Sequence, residues 1–123
     1  MVAALLICVA CGGSGRSAGA THASFRSAVL VAQRPLARAE RRSFTNPDST
    51  AAAFDAFAAT VRAAPAPRDE VGPKAAVISA ARTAAAAWRA YRDPGILSDA
   101  EPDLSRITPA EIALTHAINR LPR

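Results

Sequence analysis

Val77, Ala81, Ala84, Trp88 and Tyr91 recur at intervals of four, three, four and three residues. That spacing keeps five side chains on one seam of an α-helix, the arrangement of helices that pack side by side. A strand alternates with period two and cannot use it, so this stretch commits the chain to helix-on-helix packing. The flanks agree. Asp69-Glu70 and Gly72-Pro73 precede the repeat, acidic groups being favourable near a helix N-terminus. Arg89 and Arg92 occupy the last turn, and Asp93-Pro94-Gly95 closes it. The pattern predicts a helix over 73–92, with Trp88 and Tyr91 as packing residues.

Three further stretches carry helical spacing. Asn46-Pro47-Asp48-Ser49 supplies a capping residue and a proline suited to the first turn. Ala51, Phe54, Phe57, Ala58 and Val61 follow on one stripe until Pro65-Ala66-Pro67, which predicts a helix over 47–64. Thr108-Pro109-Ala110-Glu111 reads as a capping box, and Ile107 with Ile112 as its hydrophobic staple. Ala110, Leu114, Ala117, Ile118 and Leu121 form the apolar stripe of a helix over 109–121. Thr115, His116 and Asn119 take the opposite face, so His116 is expected in solvent without an acidic partner. Upstream, Phe25, Ala28, Val29 and Ala32 outline a shorter helix over 21–33, with Thr21 or Ser24 as its cap. Pro35 is expected to interrupt it, leaving Leu36 to Ser43 as a separate Arg-rich turn or an extended segment.

The expected fold is therefore all-α: a small antiparallel bundle of three to four Ala-rich helices behind a disordered N-terminal signal and tether. Residues 1–10 form a signal-like apolar segment, 11–20 a lipidation site and flexible tether, and 21–123 the helical domain. Within that domain, 21–46 is expected to be basic and loosely ordered and 47–123 to form the bundle. Alanine makes up 32 of the 62 apolar residues. It favours helix but buries little area, so the core should be thin.

The N-terminus bears on address. Val2 to Ala10 is an uncharged run far shorter than the roughly 20 residues that span a bilayer as a helix. It ends in Cys8-Val9-Ala10-Cys11, followed by Gly12-Gly13-Ser14-Gly15. A small residue immediately before a cysteine suits a lipoprotein signal peptidase, whose narrow pocket takes the residue before the cut and whose product is a thiol that carries diacylglycerol. These residues resemble a bacterial lipoprotein signal, Ala10 and Cys11 matching the lipobox and the glycines the tether. No Lys or Arg precedes the apolar run, and Cys8 stands where Leu or Val is usual. The layout as a whole is similar to small helical lipoproteins of actinobacteria, a resemblance that implies lipidation at Cys11 and an extracytoplasmic, membrane-anchored position. It implies no activity.

Charge is placed unevenly. From Gly12 to Asn46, Arg16, Arg26, Arg34, Arg38, Arg41 and Arg42 stand against Glu40 alone, whereas beyond Pro47 nine basic residues balance nine acidic ones. The whole net charge of +5 therefore sits in the leading segment. Arg26, Arg34, Arg38, Arg41 and Arg42 are candidates for contact with an anionic surface. No aromatic residue interleaves them and no nucleic-acid module is present, so nucleic acid is not an expected partner.

Both cysteines, Cys8 and Cys11, lie in the signal-like segment, which leaves the domain without a disulfide or a thiolate metal site. His22 and His116 stand on different elements without ligand spacing. Asp99, Glu101 and Asp103 alternate as in a calcium loop, but Leu104 replaces the turn glycine and Ala110 the closing glutamate. No nucleophile elbow, phosphate loop or dinucleotide fingerprint occurs. The expectation is no catalytic residue, metal or cofactor. The leading functional expectation is a non-enzymatic envelope lipoprotein that binds a partner protein or ligand. The alternative is a basic peripheral protein that binds anionic lipid or polymer through Arg26 to Arg42 without lipidation.

Overall fold

In a computed structural model of the chain, residues 20–41, 45–92, 99 and 101–123 are described. They form four α-helices and no strand: α1 (His22–Glu40), α2 (Pro47–Ala63), α3 (Val71–Ala90) and α4 (Ile107–Asn119), with a 3-10 turn at Arg68–Glu70 leading into α3. Successive helices pack against each other, and contacts between ends give the up-and-down order. The Thr50 hydroxyl at the start of α2 lies 3.5 Å from the Ala39 carbonyl at the end of α1. Lys74 at the start of α3 donates to the Ala64 carbonyl just past α2, at 2.7 Å. The Trp88 indole near the end of α3 donates to Glu111 in the first turns of α4, and Arg26 near the start of α1 donates to the Leu121 carbonyl just past α4, at 3.1 Å. The four helices thus form an antiparallel bundle. No helix among the described residues is long and apolar enough to cross a membrane.

The core gathers the stripes read from the sequence. Val77, Ala81, Ala84, Trp88 and Tyr91 are all buried, and the two aromatic rings meet edge to face with centroids 5.6 Å apart. Phe54, Phe57 and Val61 of α2 and Leu114, Ile118 and Leu121 at the other side close over them. Much of the seam between these layers is alanine: Ala51 and Ala58 on α2, Ala81, Ala84 and Ala85 on α3, Ala110 and Ala117 on α4. An Arg89–Asp55 ion pair at 2.5 Å bridges α3 and α2 on the outer surface, and Asn46 caps α2 by accepting from the Ser49 N–H.

Three expectations are corrected. First, Pro35 does not interrupt α1, which runs 19 residues through it. Pro35 is exposed, and so is Val31, the residue whose carbonyl loses its donor. Packing on both sides of the proline, by Phe25 and Val29 before it and Leu36 after, outweighs the missing bond. Second, the segment from 21 is not a loose prelude to the bundle. Phe25 and Val29 are fully buried, and Thr21 forms a reciprocal capping box with Ser24, so α1 is an integral fourth helix.

Third, the capping box at Thr108 does not form. α4 begins at Ile107, Arg106 occupies the cap without a side-chain bond, and Ile112 is 50% exposed rather than stapled to the buried Ile107. Glu111 is drawn to the Trp88 indole instead of the helix start. A charge-assisted bond to a buried donor outcompetes an exposed box. α3 likewise starts two residues before the expected 73, since the 3-10 turn feeds directly into it.

Candidate functional site

The arginines of the leading segment separate by where α1 carries them. Arg34, Arg38 and Arg41 stand at i, i+4 and i+7, all exposed on one outward stripe at the C-terminal end of α1. Leu30 and Val31, 44% and 51% exposed, extend the same side one turn earlier. None of the three ion pairs among the described residues uses these arginines. Glu40, the sole acidic residue of α1, belongs to another face. Arg38 and Arg41, with Thr45, Asn46 and Ser49, also line an open cleft at the corner where α1 gives way to α2. Arg26 does not join this cluster; its guanidinium is spent on the Leu121 carbonyl. Arg42 and Cys11 lie outside the described residues.

A second feature lies between α1 and α4, which face each other across a groove rather than in close backbone packing. Leu36, Phe54, Leu114 and Ile118 form its apolar floor, and Glu40, Glu111 and His116 are among its polar lining. Glu111 Oε2 accepts the Trp88 indole N–H at 2.7 Å. Glu40 is pushed up to about 7, first by partial burial, then by the charge of Glu111 and a hydrogen bond to it. Glu40 therefore keeps its proton toward neutrality. His116 is exposed, as its helix face requires, but it lines the same groove as two carboxyls on different helices. The absence of a local partner in sequence hid this neighbourhood.

The third feature is a long-range pair. Glu70, at the end of the 3-10 turn, is fully buried. Its Oε2 lies 2.6 Å from His22 Nδ1 at the start of α1, while His22 Nε2 lies 3.4 Å from the exposed Asp69 carboxylate. Glu70 Oε1 has no hydrogen-bond partner. The hydrogen bond to Glu70 holds the His22 pKa above its ordinary value against the opposing effect of desolvation, and the charges of Asp69 and Glu70 add to it. From the sequence, Asp69 and Glu70 read as favourable charges at a helix start and His22 as a residue beside the tether. Only the fold joins positions 48 apart, and no local pattern signals it.

In the connector, the Asp103 pKa is lowered first by a hydrogen bond from the Ser105 side chain and then by the Ser105 N–H, which donates to it at 3.0 Å. Asp99, Glu101 and Asp103 are exposed, and among the described residues no group of three or more His, Cys, Asp or Glu side chains could hold a metal ion. Asp55 of α2 is paired with Arg89 of α3 and takes no part in the groove. The geometry thus offers a basic stripe beside exposed aliphatic side chains, a groove floored by apolar residues, and two proton-dependent contacts that fasten α1. Comparison of the chain with models of known protein families, with curated protein sequences and with solved structures gives no match.

Proposed function

We propose that this chain is a non-enzymatic helical module of the cell envelope, anchored through a lipid on Cys11 and laid against an anionic membrane surface by the outward face of α1. The observation that carries the reading is the stripe of Arg34, Arg38 and Arg41 beside exposed Leu30 and Val31, with no acidic side chain on it and no ion pair to neutralise it among the described residues. Short aliphatic side chains settle among lipid headgroups while arginines meet phosphates, the division of labour of an interfacial helix. The lipobox-like Ala10-Cys11 supports the address. Nine residues lie between Cys11 and Thr21, a span of at most about 35 Å when extended, so an acyl anchor keeps α1 within reach of the bilayer. Diacylglycerol on the thiol supplies two acyl chains, enough to anchor stably, so the basic stripe serves to orient the domain on the surface.

Two measurements test this. Unlipidated full-length protein should co-sediment with vesicles containing anionic phosphatidylglycerol and not with phosphatidylcholine alone. Each arginine near such a surface contributes about 1 kcal/mol, so replacing Arg34, Arg38 and Arg41 by Gln should weaken binding on the order of 100-fold. Binding should also fade as salt is raised. Equal binding to neutral vesicles, or a triple variant that binds like the wild type, would refute the role of the stripe. The intact mass of membrane-extracted protein, with and without an inhibitor of lipoprotein signal peptidase, tests the anchor independently; an unmodified full-length mass would remove it.

A further inference from the structure

We propose that His22 and Glu70 form a proton-operated clasp that sets how firmly α1 is held to the rest of the bundle, with Glu40 and Glu111 acting in the same sense at the opposite end of the helix. The argument starts from the burial of Glu70. A carboxylate with no solvent access is costly unless it is paired, and its one partner is the imidazole 2.6 Å away. When His22 carries both protons, Nδ1–H donates to Glu70 and Nε2–H points at Asp69, so both carboxylates are answered. When His22 is neutral, only one ring nitrogen can donate. With the proton on Nδ1, the lone pair of Nε2 faces the Asp69 carboxylate, and Glu70 is left as a buried anion without a counter-charge. The turn at Arg68–Glu70 then separates from the start of α1.

Among the described residues, no neighbouring cation can take over the role of His22. On α1, the Arg26 guanidinium is committed to the Leu121 carbonyl. On α3, the Lys74 ammonium lies 2.7 Å from the Ala64 carbonyl and 5.9 Å from the centroid of the Phe25 ring. Arg68, in the turn itself, is exposed. Across the bundle at the other end of α1, Glu40 faces Glu111 and His116 of α4. There Glu40 holds its proton beside Glu111 in the same groove, and losing it sets like charges against each other.

The two ends add rather than cancel. His22 has a raised folded pKa, so its contribution is complete below the unfolded value and is lost as pH rises through the folded one. Glu40, also raised, is favourable at low pH and becomes repulsive above about 7. Between these ends α1 is held by Phe25, Val29 and Leu36. The helix that carries the basic stripe is therefore the one whose attachment loosens with alkalinity. The clasp belongs to the bundle and operates whether or not α1 meets a bilayer.

Amide hydrogen exchange of the full-length chain, corrected for the intrinsic pH dependence of exchange, reads this directly. Protection of residues 25–29 should fall relative to residues 81–88 of α3 as pH rises from 5.5 to 8.5, with a midpoint that matches the His22 ring titration followed by NMR. In H22Q the α1 protection should be about tenfold lower at pH 5.5, the worth of a lost bond to a charged group, and should lose the step at the His22 midpoint, keeping only the smaller decline that Glu40 contributes near pH 7. In E70Q, where the buried carboxylate is gone, the step at the His22 midpoint should also disappear while the Glu40 decline remains, and His22 should titrate lower than in the wild type. Because His22 is partly exposed, H22Q retains the core, and an unchanged far-UV spectrum verifies that. Protection of α1 that tracks α3 at every pH, or a His22 titration unmoved by E70Q, overturns the proposal.

Discussion

Replacing Glu40 by glutamine should make the protein more stable at alkaline pH and leave it nearly unchanged in acid. In the folded chain, burial and the adjacent Glu111 push the Glu40 carboxyl from its usual 4.5 up to about 7. Native protein therefore binds more protons than unfolded protein across that interval, and stability declines as pH rises through it. Taken without screening, the linkage amounts to roughly 3 kcal/mol. Glu40 is exposed on its outer side, so water screens the repulsion and the net effect is about 1 kcal/mol. Glutamine keeps a donor for Glu111 and removes the charge. Urea denaturation of wild type and E40Q at pH 5 and pH 9 should thus give midpoints that nearly coincide at pH 5 and separate at pH 9, the variant higher. The His22 contribution runs in the same direction but is common to both proteins and cancels in the comparison. Parallel pH dependence of the two midpoints, or a variant less stable at pH 9, would refute the raised Glu40 pKa.

Other substitutions probe the core and the helix ends. Phe54→Ala should cost about 3–5 kcal/mol, enough in so small a domain to abolish a cooperative thermal transition followed by circular dichroism. Pro35→Ala should raise stability by about 1 kcal/mol, because alanine restores the donor and the helix continues on both sides; a lower melting temperature would mean that the proline has a structural role of its own. Ile112→Ser should change stability by less than about 0.5 kcal/mol, as befits an exposed side chain, whereas a working hydrophobic staple would make it clearly destabilising.

The residues that pack the bundle were legible because helical periodicity is local. The 4-3-4-3 repeat from Val77 to Tyr91 and the stripes through Phe54 and Leu114 needed only the pitch of the helix, and each is buried. Asn46 was legible for the same reason, since a cap acts within four residues. What failed was competition between local and distant partners. Glu111 has a perfect local partner in Thr108 and a better remote one in Trp88. Pro35 has a local penalty that Phe25, Val29 and Leu36 override through contacts with other helices. The candidate sites divide likewise. That Arg34, Arg38 and Arg41 share a face follows from their spacing, but that Arg26 is diverted to Leu121 does not. The pairing of His22 with Glu70 and the meeting of Glu40 with Glu111 exist only once α1 is folded onto the bundle.

The alanine seam between α2, α3 and α4 has a genetic corollary. Every single-base change in an alanine codon that alters the residue gives glycine, valine, serine, threonine, proline, aspartate or glutamate. At Ala51, Ala81, Ala84 and Ala85, which are fully buried, valine and threonine overfill the space, the acids bury a charge, proline breaks the helix, and glycine loosens it. Serine is the mildest of the exits, and it places a hydroxyl in an apolar layer. The exposed alanines of the same helices, such as Ala52, Ala59 and Ala86, face no such restriction beyond helix propensity. Variation in this chain should therefore run in two classes of one residue type, with alanine held fixed on the inner face and free to drift on the outer one.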